Sequence, residues 1–203
     1  MNNKIIGVVG FIGSGKNTVG DYLVDNHTFV KMSFAHTLKN AISEIFGWPR
    51  NLLEGDTTES RNWRESVDKF WSNKLKKDIT PRWVLQYFGT EVMRNTFNDN
   101  IWIWSLERQL SQHNQNCVIT DVRFQNEISM IYNLGGTIIW VRRDPEPEWI
   151  STALNNKDQM DTLYPSIHKS EYSWINEGQF ITIYNNNDLK TLYENIEKCL
   201  SNI

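Results

Sequence analysis

Cysteine and excess positive charge are both scarce in this sequence. Only two cysteines, Cys117 and Cys199, occur in 203 residues. They stand far apart, match no metal-ligand spacing and cannot build a disulfide framework, so a reducing, cytoplasmic setting is expected. Lys and Arg total 21 against 24 Asp and Glu, a formal net charge of −3. A general nucleic-acid or membrane-surface binder would carry a basic excess, so neither partner is expected. Long apolar runs are missing too. The stretch after Met1-Asn2-Asn3-Lys4 is too short for a secretory or membrane segment. Internal repeats are absent, and nothing calls for a second domain, so one domain over 1–203 is expected. Tryptophan, by contrast, is abundant, with 9 copies spread along helical patterns where packing is the ordinary role.

What is present is organised around Ile5 to Thr18. Ile5, Ile6, Val8 and Val9 form a short β-branched run suited to a strand buried on both faces. Gly10-Phe11-Ile12-Gly13-Ser14-Gly15-Lys16 then has the spacing of a phosphate-binding loop. Its glycines let backbone N–H groups point inward, and a helix starting near Lys16 adds the positive end of its dipole. Lys16 is expected to reach the β- and γ-phosphates. The pattern next wants Ser or Thr as a Mg²⁺ ligand, and here stands Asn17, followed by Thr18. Either an amide oxygen or a metal-bound water can take that place.

The rest of the chain alternates strand and helix. Val19, Tyr22 and Leu23 mark the helix after the loop, Phe29 to Phe34 a second strand, and Leu38 to Phe46 an amphipathic helix stopped by Gly47. Pro49 to Ser60 reads as an exposed, mobile loop. Arg61 to Lys77 carries Trp63, Val67, Phe70, Trp71 and Leu75 at the spacing of one amphipathic helix. Thr80-Pro81 starts the next helix, with Arg82, Gln86 and Gly89 on one face, and Ile101 to Leu110 forms another before the polar His113 to Asn116 loop. Cys117 to Asp121 is a buried-type strand ending in a carboxylate. Phe124 to Leu134 is a helix stopped by Gly135-Gly136, and Thr137 to Val141 a strand leading to Arg142 and Arg143. Glu146 to Asn176 reads as a partly irregular surface excursion, a candidate lid. Phe180 to Tyr184 closes the sheet, and Leu189 to Leu200 is a final helix.

Basic residues gather where loops should converge: Lys39, Arg61, Arg64, Arg82, Arg123, Arg142 and Arg143. Phosphoryl transfer requires such donors, because its catalysis is mostly positioning and neutralising charge. Arg61 and Arg64 fit equally well as partners of Glu65 and Asp68 on a solvated helix. Asp121 and Arg123 point more firmly to function. They sit at a strand end, where open α/β sheets collect ligands, and a charge there must find a partner.

The segments GFIGSGKNT, SFAHTLKNAI, PRWVLQYFGTEVMRNTFNDNIWI, VITDVRFQNE, GGTIIWVRR and the late HKSE together resemble the deoxynucleoside monophosphate kinases of tailed bacteriophages. The resemblance spans nearly the whole chain and keeps the motif order. It implies a three-layer α/β P-loop kinase fold with a central, mainly parallel sheet, a helical acceptor-binding region at about 49–112 and a lid region at about 143–178. The implied reaction moves the γ-phosphate of ATP to a deoxynucleoside monophosphate, with Mg²⁺, in a homodimer that would work in the host cytoplasm if phage-encoded. The matching acceptor positions are Lys39, Arg82, Gln86, Gly89, Thr90, Trp102, Asp121, Arg123 and Glu127, to which Arg61 and Arg64 are added from the basic cluster. Donor contacts are expected from Gly10, Ile12, Gly13, Ser14, Gly15, Lys16, Asn17, Thr18, Arg142 and Asn185, and the catalytic group is Lys16, Arg64, Asp121 and Arg123. Mg²⁺ would be met by Asn17 and Thr18, directly or through water. Two other readings fit the residues: a kinase resembling dephospho-coenzyme A or phosphomevalonate kinase, and a nucleotide-dependent switch.

Overall fold

The computed structural model describes residues 3–112, 114–201 and 203. His113, expected at the head of a polar loop, lies outside them. The chain forms two compact units, Met1–Ser33 with Leu110–Ile203, and Phe34–Gln109.

The first unit is built on five strands: β1 (Ile5–Val9), β2 (Val30–Met32), β3 (Cys117–Ile119), β4 (Thr137–Arg142) and β5 (Ile181–Tyr184). They lie in the order β2-β3-β1-β4-β5, and every pairing is parallel. Parallel strands require crossovers on the sheet faces, so β1 and β3 are hidden on both sides, with Val8, Val9, Val118 and Ile119 fully buried. A core of Ile6, Val8, Val19, Leu23, Val118, Ile139, Val141, Ile183, Leu192 and Ile196 joins the sheet to its flanking helices. The helices beside the sheet are α1 (Lys16–His27), α7 (Gln125–Asn133) and α10 (Leu189–Leu200), the last started by the Asp188 side chain accepting from Thr191 N–H. Because the order places β1 between β3 and β4, the loops after these three strands issue from one edge of the sheet, the usual place for ligands in such folds.

The excursion after β4 is partly irregular, as expected, but it is not a surface segment. Between irregular stretches it holds α8 (Ile150–Asn155), α9 (Met160–Leu163) and short 3₁₀ turns, and it buries Trp149, Ala153, Met160, Tyr172, Trp174 and Ile175. Trp174 packs 5.4 Å from the Phe11 ring and edge-on to Trp140 at 5.2 Å. Widely spaced aromatics, with no helical period, carry this packing, and a periodicity search passes over them.

The second unit is helical: α2 (His36–Phe46), α3 (Thr58–Glu65), α4 (Lys69–Leu75), α5 (Pro81–Gln86) and most of α6 (Ile101–Leu110). Two expectations are corrected here. The span Arg61 to Lys77 is two helices, because Ser66 is extended and the Asp68 carboxylate starts α4 by accepting from Trp71 N–H. Asp68 also accepts from Trp48 Nε1, so the break is held by tertiary contacts. The Pro49 to Ser60 loop contains a 3₁₀ turn at Arg50–Leu53 with Leu53 fully buried. Thr80 and Pro81 start α5 as expected, but the helix then widens into a π-helix over Tyr87–Phe97. Among the described residues no helix is long and apolar enough to cross a membrane.

Candidate active site

In the first unit, the loop between β1 and α1 has the conformation its glycines imply. Gly10 and Gly15 have φ of +147° and +105°, and a Cβ would come 2.5 Å from Val141 O at Gly10 and 2.4 Å from Asn185 Nδ2 at Gly15. No L-residue fits either position. Gly15 precedes α1 and no side chain caps that end, so its first amides face the loop with the dipole behind them. Ser14 is buried and Ile12 exposed.

Lys16 is folded back on this loop, its Nζ donating to Gly10 O at 2.7 Å and Phe11 O at 2.8 Å. Burial of the ammonium is the main reason its pKa falls from 10.5 to about 7. The Arg123 guanidinium pushes the same way, while Glu171 and Asp121 oppose it. Arg123, Glu171 and Asp121 therefore all bring their charges to bear on Lys16.

Asp121 and Arg123 follow β3. The Asp121 carboxylate accepts from Ser33 Oγ at 2.7 Å. Arg123 Nη1 pairs with Glu171 Oε2 at 2.9 Å. Glu127, 3% exposed, accepts from the N–H groups of Arg123 and Phe124 at 2.6 and 3.1 Å, so its carboxylate shapes the turn on which Arg123 stands. Asn17 Oδ1 accepts from Thr120 Oγ1 at 3.0 Å, tying the start of α1 to the end of β3. Thr18 is half-buried in the first turn of α1.

Asn185, just after β5, is also brought to the loop, whereas the Arg142 side chain at the end of β4 turns to Glu146. Asn185 Nδ2 donates to Ser14 O at 2.9 Å, and its N–H to Arg142 O. Arg143 Nη1 reaches Gly13 O at 3.4 Å, a weak contact. The Arg142 guanidinium lies 4.5 Å over Trp140 and forks onto Glu146, which raises its pKa further.

In the second unit the basic residues meet a segment that sequence reading treated as plain loop. Lys39 Nζ binds Glu54 at 2.5 Å, and Arg50 binds the same carboxylate. These partners outweigh desolvation and lower the Glu54 pKa. Arg64 lays its guanidinium against the backbone of Gly55, and Arg61 donates to Asp56 O at 2.8 Å. Four cations thus converge on residues 54–56. Arg82 pairs with Glu65 at 3.0 Å, linking α5 to α3. Trp102 is buried and donates through Nε1 to Gly89 O at 2.9 Å, while Gln86 and Thr90 are half-buried on α5 and the π-helix. Arg50, Glu54, Ser33, Thr120 and Glu171 are neighbours that sequence reasoning did not name as site residues. The Arg50 to Glu54 spacing of four was a local signal, and Ser33, Thr120 and Glu171 stand in the segments SFAHTLKNAI, VITDVRFQNE and HKSE that carry the resemblance.

For Mg²⁺, the first unit offers hard oxygen donors in Asp121, Thr18 and Asn17. Among the described residues no group of three or more His, Cys, Asp or Glu forms a cage. That donor set fits Mg²⁺, which is usually held by one or two protein oxygens together with phosphates and water.

The chain is similar to several known proteins. The family profile described as deoxynucleotide monophosphate kinase matches residues 51–196. A protein of Acanthamoeba polyphaga mimivirus, provisionally named as a deoxynucleotide monophosphate kinase, is 29% identical over 211 aligned residues, covering 98% of this chain and 96% of its own. The deoxynucleoside-5'-monophosphate kinase of Escherichia phage T5 is 29% identical over 173 residues, covering 61% of this chain and 69% of its own. Among solved structures, the dephospho-CoA kinase of Campylobacter jejuni is 16% identical with a TM-score of 0.49, covering 97% of this chain and 95% of its own. Shikimate kinase of Aquifex aeolicus is 12% identical with a TM-score of 0.44, covering 98% of this chain and 96% of its own. Both scores fall below 0.5, and the fold assignment rests on the strand order and the loop instead.

Proposed function

Since the chain belongs to the deoxynucleotide monophosphate kinase family, we propose that it transfers the γ-phosphate of ATP to a deoxynucleoside monophosphate, giving the diphosphate and ADP. Beyond family membership, the observation that carries this reading is the grouping of Lys16, Asp121 and Arg123 around the β1–α1 loop. A loop that only bound nucleotide would not need a second, fixed cation beside its lysine. An in-line transfer does, because charge spreads over the equatorial oxygens as the bond shifts.

The donor phosphates are held by the amides of Gly10 to Thr18, including Ile12, Gly13, Ser14 and Gly15. Lys16 exchanges its two carbonyl partners for β- and γ-phosphate oxygens. Arg142 and Asn185 flank the donor from the ends of β4 and β5. Asp121, with Asn17 and Thr18 directly or through water, holds Mg²⁺, which when bound neutralises phosphate charge. Arg123 stabilises the transferring phosphate, and Glu127 acts by fixing its turn.

Lys39, Arg61, Arg64 and Arg82 serve the acceptor phosphate. Lys39, Arg64 and Arg82 now meet Glu54, Gly55 and Glu65, neighbours that an incoming phosphate competes with. Trp102, Gly89, Thr90 and Gln86 form the acceptor base wall. The acceptor phosphate is itself an anionic nucleophile, so no general base is required. A homodimer and a cytoplasmic setting, the host's if the chain is phage-encoded, belong to the same reading, and native mass measurement tests the dimer.

A panel of deoxynucleoside monophosphates with ATP and Mg²⁺, followed by ADP release, tests the assignment. Turnover with at least one is expected. ADP release with none of them, or with dephospho-coenzyme A instead, overturns it.

A further inference from the structure

We infer that Glu171 is a positioning residue for phosphoryl transfer, holding the Arg123 guanidinium in place beside the phosphate-binding loop, an inference that rests on the functional reading above. Both residues belong to the first unit, and their side chains are 26% and 14% exposed for Arg123 and Glu171. Two features of the pair point beyond a routine surface contact.

The first is that both ends are anchored. Glu127 fixes the backbone of Arg123. Glu171 closes a 3₁₀ turn, Lys169–Glu171, started by His168, whose Nδ1 accepts from Ser170 N–H at 3.2 Å. Its own carbonyl accepts from Trp174 Nε1 at 3.0 Å, and that fully buried ring packs on Phe11 of the phosphate loop. The carboxylate is thus carried on the same packed block as the loop. A long side chain such as arginine loses about 2 kcal/mol of rotamer freedom when ordered, and an anchored partner meets that cost before substrate arrives.

The second is which edge of the guanidinium is engaged. Its hydrogen bonds, to Glu171 Oε2 at 2.9 Å and more weakly to Ser170 O at 3.4 Å, both run through Nη1. Among the described residues no other group binds this guanidinium, so its Nε/Nη2 edge remains for a planar or tetrahedral anion, the fork that matches a phosphate. Glu171 also neutralises part of the cation that faces Lys16. Without it, two cations repel across the loop and Arg123 turns toward solvent.

Glu171→Gln keeps the shape and removes the charge, so the test is a double-mutant cycle of E171Q and R123A in the whole protein, with E171D as the conservative variant. Steady-state kinetics should show kcat for the accepted monophosphate falling about tenfold or more in E171Q, with KM for ATP within about threefold, and E171D regaining most of the loss. In the R123A background E171Q should cost less than about twofold, the mark of two residues acting as a unit. Full additivity of the two losses, or wild-type kcat in E171Q, overturns the inference. If E171Q does not fold, the cycle of E171D with R123A is read by the same rule. If the wild-type protein phosphorylates no deoxynucleoside monophosphate, the functional reading fails separately, and the cycle is read on the rate of ADP release with whichever acceptor, water included, gives turnover. There, non-additive losses support the placement, and additive losses or none overturn it.

Discussion

Lys16 shows what a single residue in this fold is asked to do. Its ammonium is held by two carbonyls in a buried site, and the resulting pKa of about 7 lies well below the unfolded value of 10.5. The sign of the consequence is definite. Below pH 7 the folded protein bears the full cost of the buried charge, and as pH rises from about 7 to 10.5 the unfolded chain binds the extra proton and stability grows from this group. A bound polyphosphate reverses the depression, so ATP binding at pH 8 should take up close to one proton and at pH 6 almost none. Calorimetry in buffers of different ionisation enthalpy reads this directly, and equal uptake at both values would contradict the assignment. Lys16→Ala should lower kcat/KM by about 10²-fold or more, the size of effect seen when a preorganised donor to a reacting oxygen is lost. Asn17 has a partner that sequence reading had no means of seeing, the Thr120 hydroxyl. Replacing Asn17 with Thr should cost about 1 kcal/mol of stability from that hydrogen bond, while transfer stays within a few-fold. A loss of activity far beyond the loss of stability would show that the amide does more.

At the scale of elements, what was legible followed periodicity and punctuation. The β-branched run of β1, the Thr80-Pro81 start of α5, Gly47 after α2 and the Asp188 cap of α10 are local signals, and the structure places each element where they point. What failed was set by contacts distant in sequence. The apolar stripe from Trp63 to Leu75 continues across a break that Asp68, with Trp48 as its distant partner, helps to enforce. Asp68→Ala removes both the cap and that acceptor, and denaturant titration should show a loss of about 1–3 kcal/mol. The aromatic block after β4 was equally hidden. Trp174 sits fully buried among Phe11, Trp140 and Phe180. Truncating it to Ala should cost about 3–5 kcal/mol, and because Phe11 belongs to the phosphate loop, ATP affinity should fall with it. Stability lost at unchanged ATP affinity would separate the block from the loop.

For the whole molecule, the part assigned here to the donor was legible in the sequence: the loop motif, the strand ends and the order of alternation lead to the parallel sheet β2-β3-β1-β4-β5, with the charges of Asp121 and Arg123 felt at the lysine. The proposed acceptor residues of the second unit were legible only as a list of basic residues. Their meeting point at Glu54 to Asp56 depends on how α2, α3 and the Arg50–Leu53 turn pack within the second unit, which no local pattern encodes. The most direct test of the account is to supply ATP labelled in its γ-phosphate together with each deoxynucleoside monophosphate and to follow the label. The account predicts that it appears in the β-position of a deoxynucleoside diphosphate, in step with ADP, and that Arg123→Ala slows this transfer. Label appearing only as free phosphate, or in no deoxynucleoside diphosphate at all, would contradict it.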